Sequence, residues 1–205
     1  MNRIITLLIF SFCLLWPATG WAQDNWELKK NENGIAVYTR KVKDEKLKEI
    51  RVVTELACTT AQLINVLQDI NNYNKWVYFN KKTSLLKKTN ESLIYYTETE
   101  APWPVTGRDL ILELIIREVP GTQNLDIKVR SRPDYLPPKK DLVRVPYSLA
   151  TWKVVPIAPN RLKVDYTFSV NPGGSIPTWL VNMAATVGPY NSFVNLKKLL
   201  AEGKF

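Results

Sequence analysis

The side chains able to do chemistry in this 205-residue sequence are carboxylates, lysines and tyrosines, because it contains no histidine. That absence removes the commonest general base, proton shuttle and metal ligand. Serine, threonine and cysteine nucleophiles ordinarily need an imidazole beside them, so triads of that kind are excluded. Two cysteines, Cys13 and Cys58, are too few for a zinc, copper or haem site without histidine. Neither a metal nor a cofactor is expected. Two pairs of residues remain. Arg108 and Asp109 stand at the head of a run of alternating apolar residues. They could grip a ligand's head, but the preferred reading is structural: a pair that fixes a strand start through charge-assisted bonds to nearby backbone. Tyr96 and Glu98 share one face of a strand. If that face is concave, Glu98 is a buried carboxylate in need of a partner, with Arg130 as the candidate. A solvated outward pair is the alternative.

The elements that would position these residues follow from periodicity. Residues 34–41 and 46–57 alternate in strand fashion around a turn at Lys43-Asp44-Glu45. Thr59 or Thr60 can cap a helix over 61–70 with Leu63, Ile64, Val66, Leu67 and Ile70 on its apolar face. Strands are predicted at 83–88, 92–100, 109–118, 124–131, 142–156 and 161–170. In 109–118, Leu110, Leu112, Leu114 and Ile116 share a face. Three prolines make 132–140 a loop. After Asn171-Pro172-Gly173-Gly174, Ser175 can cap a helix with Pro177 in its first turn, running to about Leu200. Leu180, Met183, Val187, Tyr190 and Val194 share one face of it, and Pro189 should kink it. The order is α+β: an antiparallel sheet and one long helix, able to leave a concave, apolar space between them.

The first 22 residues read as a removable leader. Arg3 precedes the apolar run 4–16, and Gly20-Trp21-Ala22 offers small residues for cleavage. The run falls short of the roughly 18–20 residues a spanning helix needs. The remaining 23–205 then form one domain whose only cysteine, Cys58, rules out an internal disulfide. The whole chain carries 28 basic and 19 acidic residues, a formal charge of +9. Removing the leader takes away one basic residue, leaving about +8 (27 against 19). Such a surface is attracted to anionic membrane. The charges are dispersed as lysine pairs with no nucleic-acid motif, so no nucleic-acid partner is expected.

Four segments resemble a known family. They are WELKKNENGIAVYTRK (26–41), PWPVTGRDLIL (102–112), ATWKVVP (150–156) and NPGGSIPTWLVN (171–182). In order and spacing they look like a START (steroidogenic acute regulatory-related lipid transfer) domain, within the Bet v 1-like helix-grip superfamily. The resemblance implies a curved antiparallel sheet wrapped around a long C-terminal helix. It also implies a tunnel for sterols, phospholipids, ceramides or other isoprenoid and acyl compounds. Tyr96, Glu98, Leu112, Leu114, Arg130, Trp152 and Tyr166 become candidate cavity residues. The loop 131–141, with Tyr135 and Leu136, and the helix residues Leu180, Met183 and Val187 become candidate gate or roof residues. Sterol-binding members often carry a basic residue five positions after the Arg-Asp pair, where this chain has Leu114.

The expectation is an exported lipid carrier in a bacterial periplasm, monomeric and not an enzyme, with the helix's second half controlling ligand uptake around Gly188-Pro189. A cavity enzyme of cyclase or hydrolase type would need converging acid and base groups. A ligand-free module that binds another protein would have a closed, dry interior.

Overall fold

Turn chemistry and alternation account for most elements. The computed structural model describes residues 26–40, 48–101, 103 and 105–203, with backbone alone at 48, 178–180, 182 and 183. The leader assigned to 1–22 and the turn assigned to 43–45 lie outside the described residues. β1 (Glu27–Glu32) and β2 (Ile35–Arg40) form a hairpin closed by Asn33 and Gly34, with left-handed φ of 52° and 66°. Asn-Gly tolerates both angles in a two-residue turn whose twist suits the strands. β3 (Lys48–Leu56) pairs antiparallel with β2. Thr59 caps α1 (Thr60–Gln68): its hydroxyl accepts from the Gln62 amide at 3.1 Å, and the Gln62 side chain accepts from the Thr59 amide at 2.9 Å. That reciprocal pair satisfies two donors otherwise orphaned at a helix start.

A 3-10 turn (Ile70–Lys75) leads into β4 (Asn80–Lys88), β5 (Leu93–Thr99), β6 (Arg108–Glu118) and β7 (Leu125–Ser131). The single strand expected over 142–156 is two. β8 (Val143–Arg144) pairs parallel with β6, and β9 (Tyr147–Ala158) starts after Pro146. Proline has no amide donor to continue a ladder. β10 (Arg161–Asn171) and α2 (Thr178–Ala201) complete the fold. Ser175 does not cap α2: Pro177 occupies the cap position, and no side chain bonds there.

The sheet order is β1-β2-β3-β10-β9-β7-β6-β5-β4, with β8 beside β6 off that path. Every pairing along it is antiparallel. Both outermost strands are irregular, with register shifts at Leu28/Lys30 in β1 and at Asn80/Lys82 and Leu85/Lys87 in β4. α2 packs on β2 and β3. Its second half is anchored: Tyr190, Phe193, Leu196, Leu199 and Leu200 are buried. Each such side chain contributes about 1.5–3 kcal/mol when fully buried. Cys58 is buried in the same core, and desolvation pushes its thiol up to about 11, so it stays protonated and inert.

On the opposite side of the sheet, ion pairs hold the 130–144 segment. Asp109 is fully buried and accepts from Arg144 Nε and Nη2, both at 2.9 Å. The same guanidinium donates to the carbonyls of Pro133 (2.5 Å), Leu136 (2.8 Å) and Pro137 (3.2 Å). A planar cation with five donors suits this task, and lysine would not. Removing one partner leaves a buried charge unmatched, so Arg144→Met should cost about 3–5 kcal/mol in urea unfolding. A loss below about 1 kcal/mol, the range of a surface ion pair, would contradict this role.

Candidate functional site

Between the concave sheet face and α2 lies a cavity of about 390 Å³. Strand alternation decides which residues reach it. From β6 come Arg108, Leu110, Leu112 and Leu114; from β5, across the ladder, Tyr95, Thr97 and Thr99. β9 and β10 add Ala150, Trp152, Tyr166 and Phe168. The roof is the first half of α2, through Val181, Ala184, Ala185 and Gly188, then Ser192 and Phe193. Aromatic rings set much of the wall. Trp152 meets Tyr166 at 5.0 Å and Phe193 at 5.2 Å between centroids, and Tyr73 meets Tyr95 at 5.4 Å. Burial pushes the Tyr95 and Tyr166 phenols well above their usual range, so both are neutral at physiological pH.

Of the candidate cavity residues, Leu112, Leu114, Trp152 and Tyr166 lie on this wall. Tyr96, Glu98 and Arg130 do not. β5 is covered on both faces, so its pattern carried no alternation from which to choose a side. Tyr96 belongs to a small outer cluster with Ile94 and Ile111. Glu98 pairs with Lys139 (2.6 Å) and accepts from the Tyr96 hydroxyl (2.8 Å). Arg130 instead holds Glu113, its cross-strand neighbour, at 2.8 Å, with Arg132 on the same oxygen at 2.8 Å. Tyr135 and Leu136 sit on the outer segment clamped by Arg144 and are not on the cavity lining. Val187 is likewise off the lining, because the roof face is rotated from the predicted one. The side chains of Leu180 and Met183 lie outside those described.

The Arg108-Asp109 pair is split by the pleat. Asp109 faces outward to Arg144, while Arg108 lies on the cavity wall, 7% exposed. One guanidinium arm donates to the Thr106 carbonyl. Arg108 also borders an open recess formed by Val105, Thr106, Val143 and residues 174–177. Gly173 is packed so closely there that a β-carbon would lie 3.1 Å from Pro146 Cδ, at a left-handed φ of 65°. Trp103, on the loop before β6, is 91% exposed. Two strands away from Arg108 in the same cross-sheet row, where its carbonyl accepts from the Glu100 amide, Phe79 takes φ of 63°, which costs a bulky residue on the order of 1–3 kcal/mol. It lines the cavity beside Gly188. α2 runs unbroken through Pro189. Ser192 Oγ donates to the Gly188 carbonyl at 2.9 Å and accepts from the Tyr78 amide at 2.9 Å.

The START domain model matches residues 18–202. The chain belongs to the START domain family. An uncharacterised protein from Pseudomonas aeruginosa is 29% identical over 197 residues, spanning 96% of this chain and 97% of its own length. The phosphatidylcholine transfer protein of Mus musculus is 26% identical over 186 residues, spanning 85% of this chain and 83% of that one. The solved STAR-related lipid transfer protein of Xanthomonas axonopodis has a TM-score of 0.80 at 34% identity, covering 87% of this chain and 99% of that one. In keeping with its likeness to that solved structure, the START domain has an open, curved sheet packed against the C-terminal helix.

The outer carboxylates make stability pH-dependent. Bonds from Lys139 and Tyr96 hold the Glu98 carboxyl below its ordinary value. Burial alone would raise Glu113, but Arg130, Arg132 and Ser92 together bring it below the ordinary value too. A carboxyl depressed in the folded state stabilises above its unfolded pKa, and that contribution is lost as pH falls through the folded value. The urea midpoint should therefore drop as pH falls below the ordinary carboxylate range, and drop less in Glu113→Gln. Equal losses in wild type and variant would assign the acid sensitivity elsewhere.

Proposed function

We propose that this START domain is an exported carrier that holds the apolar part of a lipid in its cavity, and that it is not an enzyme. The observation that carries the reading is the cavity itself: about 390 Å³, walled by Leu112, Leu114, Trp152, Tyr166 and Phe193 and roofed by α2. Sites for small molecules run to about 300–1,000 Å³ and are lined mostly by apolar side chains. A buried acyl chain gains roughly 0.8 kcal/mol per methylene before ordering costs. Relatives bearing the names phosphatidylcholine transfer protein and STAR-related lipid transfer protein support the same class of ligand. Leu114, on the wall where sterol-binding members often carry a basic residue, favours acyl over sterol ligands.

Against an acid-base enzyme stand the lack of histidine and the disposition of the carboxylates. Among the described residues, Asp109, Glu98 and Glu113 are engaged on the outer face. Glu100 reaches the cavity margin, but its side chain is 65% exposed and lies 4.0 Å from Lys81. The leader-like pattern of residues 1–22 supports the reading of export to a periplasm, where a basic domain would meet anionic bilayers. Trp103 suits that contact, having an apolar ring and a polar tip.

Native mass spectrometry of gently purified protein should find a bound lipid, and empty protein should extract lipid from liposomes. Absence of both would end the carrier reading. Ala185→Trp, which fills the roof, should abolish extraction while changing stability by no more than about 1–3 kcal/mol. Trp103→Ala should slow transfer between anionic vesicles without altering equilibrium binding of a soluble lipid probe. An equal loss of binding would make Trp103 part of the cavity instead of the docking surface.

A further inference from the structure

Two buried side-chain donors lack a partner among the described residues: Trp76 Nε1 and Arg108 Nε. Both belong to residues that line the cavity. The arginine is the more demanding, because an unmatched buried cation costs far more than an unmatched neutral donor. Its neighbour in sequence cannot help. Asp109 is on the far side of the strand and fully engaged by Arg144. Glu100 is mostly in solvent beside Lys81. Burial pushes the Arg108 guanidinium below its usual pKa, yet arginine keeps its proton at neutral pH. The cavity wall thus contains a permanent cation whose bonding capacity is only partly used.

Its position along the cavity gives that charge a direction. Arg108 borders the open recess at residues 105–106 and 174–177, while Leu110, Leu112 and Leu114 continue inward on the same face of β6. From Arg108 to Leu114 is six residue steps, roughly 20 Å at about 3.3 Å each. The wall is therefore polarised, with one cation at the open end and an apolar track behind it.

We propose that Arg108 is the headgroup receptor of this cavity, binding the carboxylate or phosphate oxyanion of an acyl lipid whose chain lies along Leu110, Leu112 and Leu114. The proposal rests on the carrier reading and deepens it: the ligand carries an oxyanion, not an uncharged head. Two oxygens of one carboxylate or phosphate match a guanidinium fork, and the charge-assisted bonds would be made away from bulk water.

The test compares matched probes in solution: a pyrene-labelled fatty acid against its methyl ester, and pyrene-labelled phosphatidylcholine against pyrene-labelled diacylglycerol. In wild type, the oxyanion-bearing member of at least one pair should bind about tenfold or more tighter. The pair that discriminates identifies the oxyanion as carboxylate or phosphate. R108Q should close that gap to within about twofold, and R108K should retain part of it, since lysine offers charge without the fork. Equal binding of both members of both pairs by wild type would overturn the proposal while leaving the carrier reading intact. So would a gap that survives in R108Q. Failure of all four probes to bind wild type would sink both. The wild-type comparison stands even if R108Q does not fold.

Discussion

A carboxylate with no access to water fixes the head of β6. Asp109 is fully buried, and its charge is tolerable only because Arg144 meets both oxygens. Arg144 in turn collects three carbonyls from 133–137, so a proline-rich stretch that could form no ladder is pinned to the sheet. β8 then runs parallel to β6 for two residues. With Asp109 committed outward, the pleat sends Arg108 the other way. One ion pair on the outer face therefore determines which residue of the Arg-Asp dipeptide reaches the interior.

Much of this arrangement was legible in residue types. The alternation of 109–118 identified the Leu110, Leu112 and Leu114 face, and Thr59 with Gln62 marked the start of α1. β1 was not predicted as a strand, because ELKKNE has no apolar face, although Asn33-Gly34 after it is a hairpin signal. The failures have a common cause. Tyr96 and Glu98 lie on a strand buried from both sides, where composition does not say which side is hollow. Polar residues such as Thr186, Asn191, Ser192 and Asn195 are spread around α2, so no single apolar face stands out and choosing Leu180, Met183, Val187 and Tyr190 was a choice among near equals. The Asp109–Arg144 contact joins residues 35 apart, and no local pattern encodes it.

The helix is packed unevenly along its length. Its second half, assigned control of uptake from the sequence, is the anchored half, buried against β2 and β3. The first half covers the cavity and is only partly buried where described. Pro189 stands at the boundary, and Ser192 ties that turn to Tyr78, next to the strained Phe79. Local stability follows packing density. By packing, the first half is the less firmly held part of the helix and the second half the more firmly held.

The irregular outer strands have a different consequence. Among the described residues the sheet does not close, so β1 and β4 each lack a strand partner on one side, and such edges can template pairing with another chain. Here the edges are broken by register shifts, and they carry Lys29 and Lys30 at one end and Lys81, Lys82, Lys87 and Lys88 at the other. Bulge and charge together make each margin a poor template. Part of the chain's positive balance therefore sits where it disfavours edge-to-edge pairing of an open sheet.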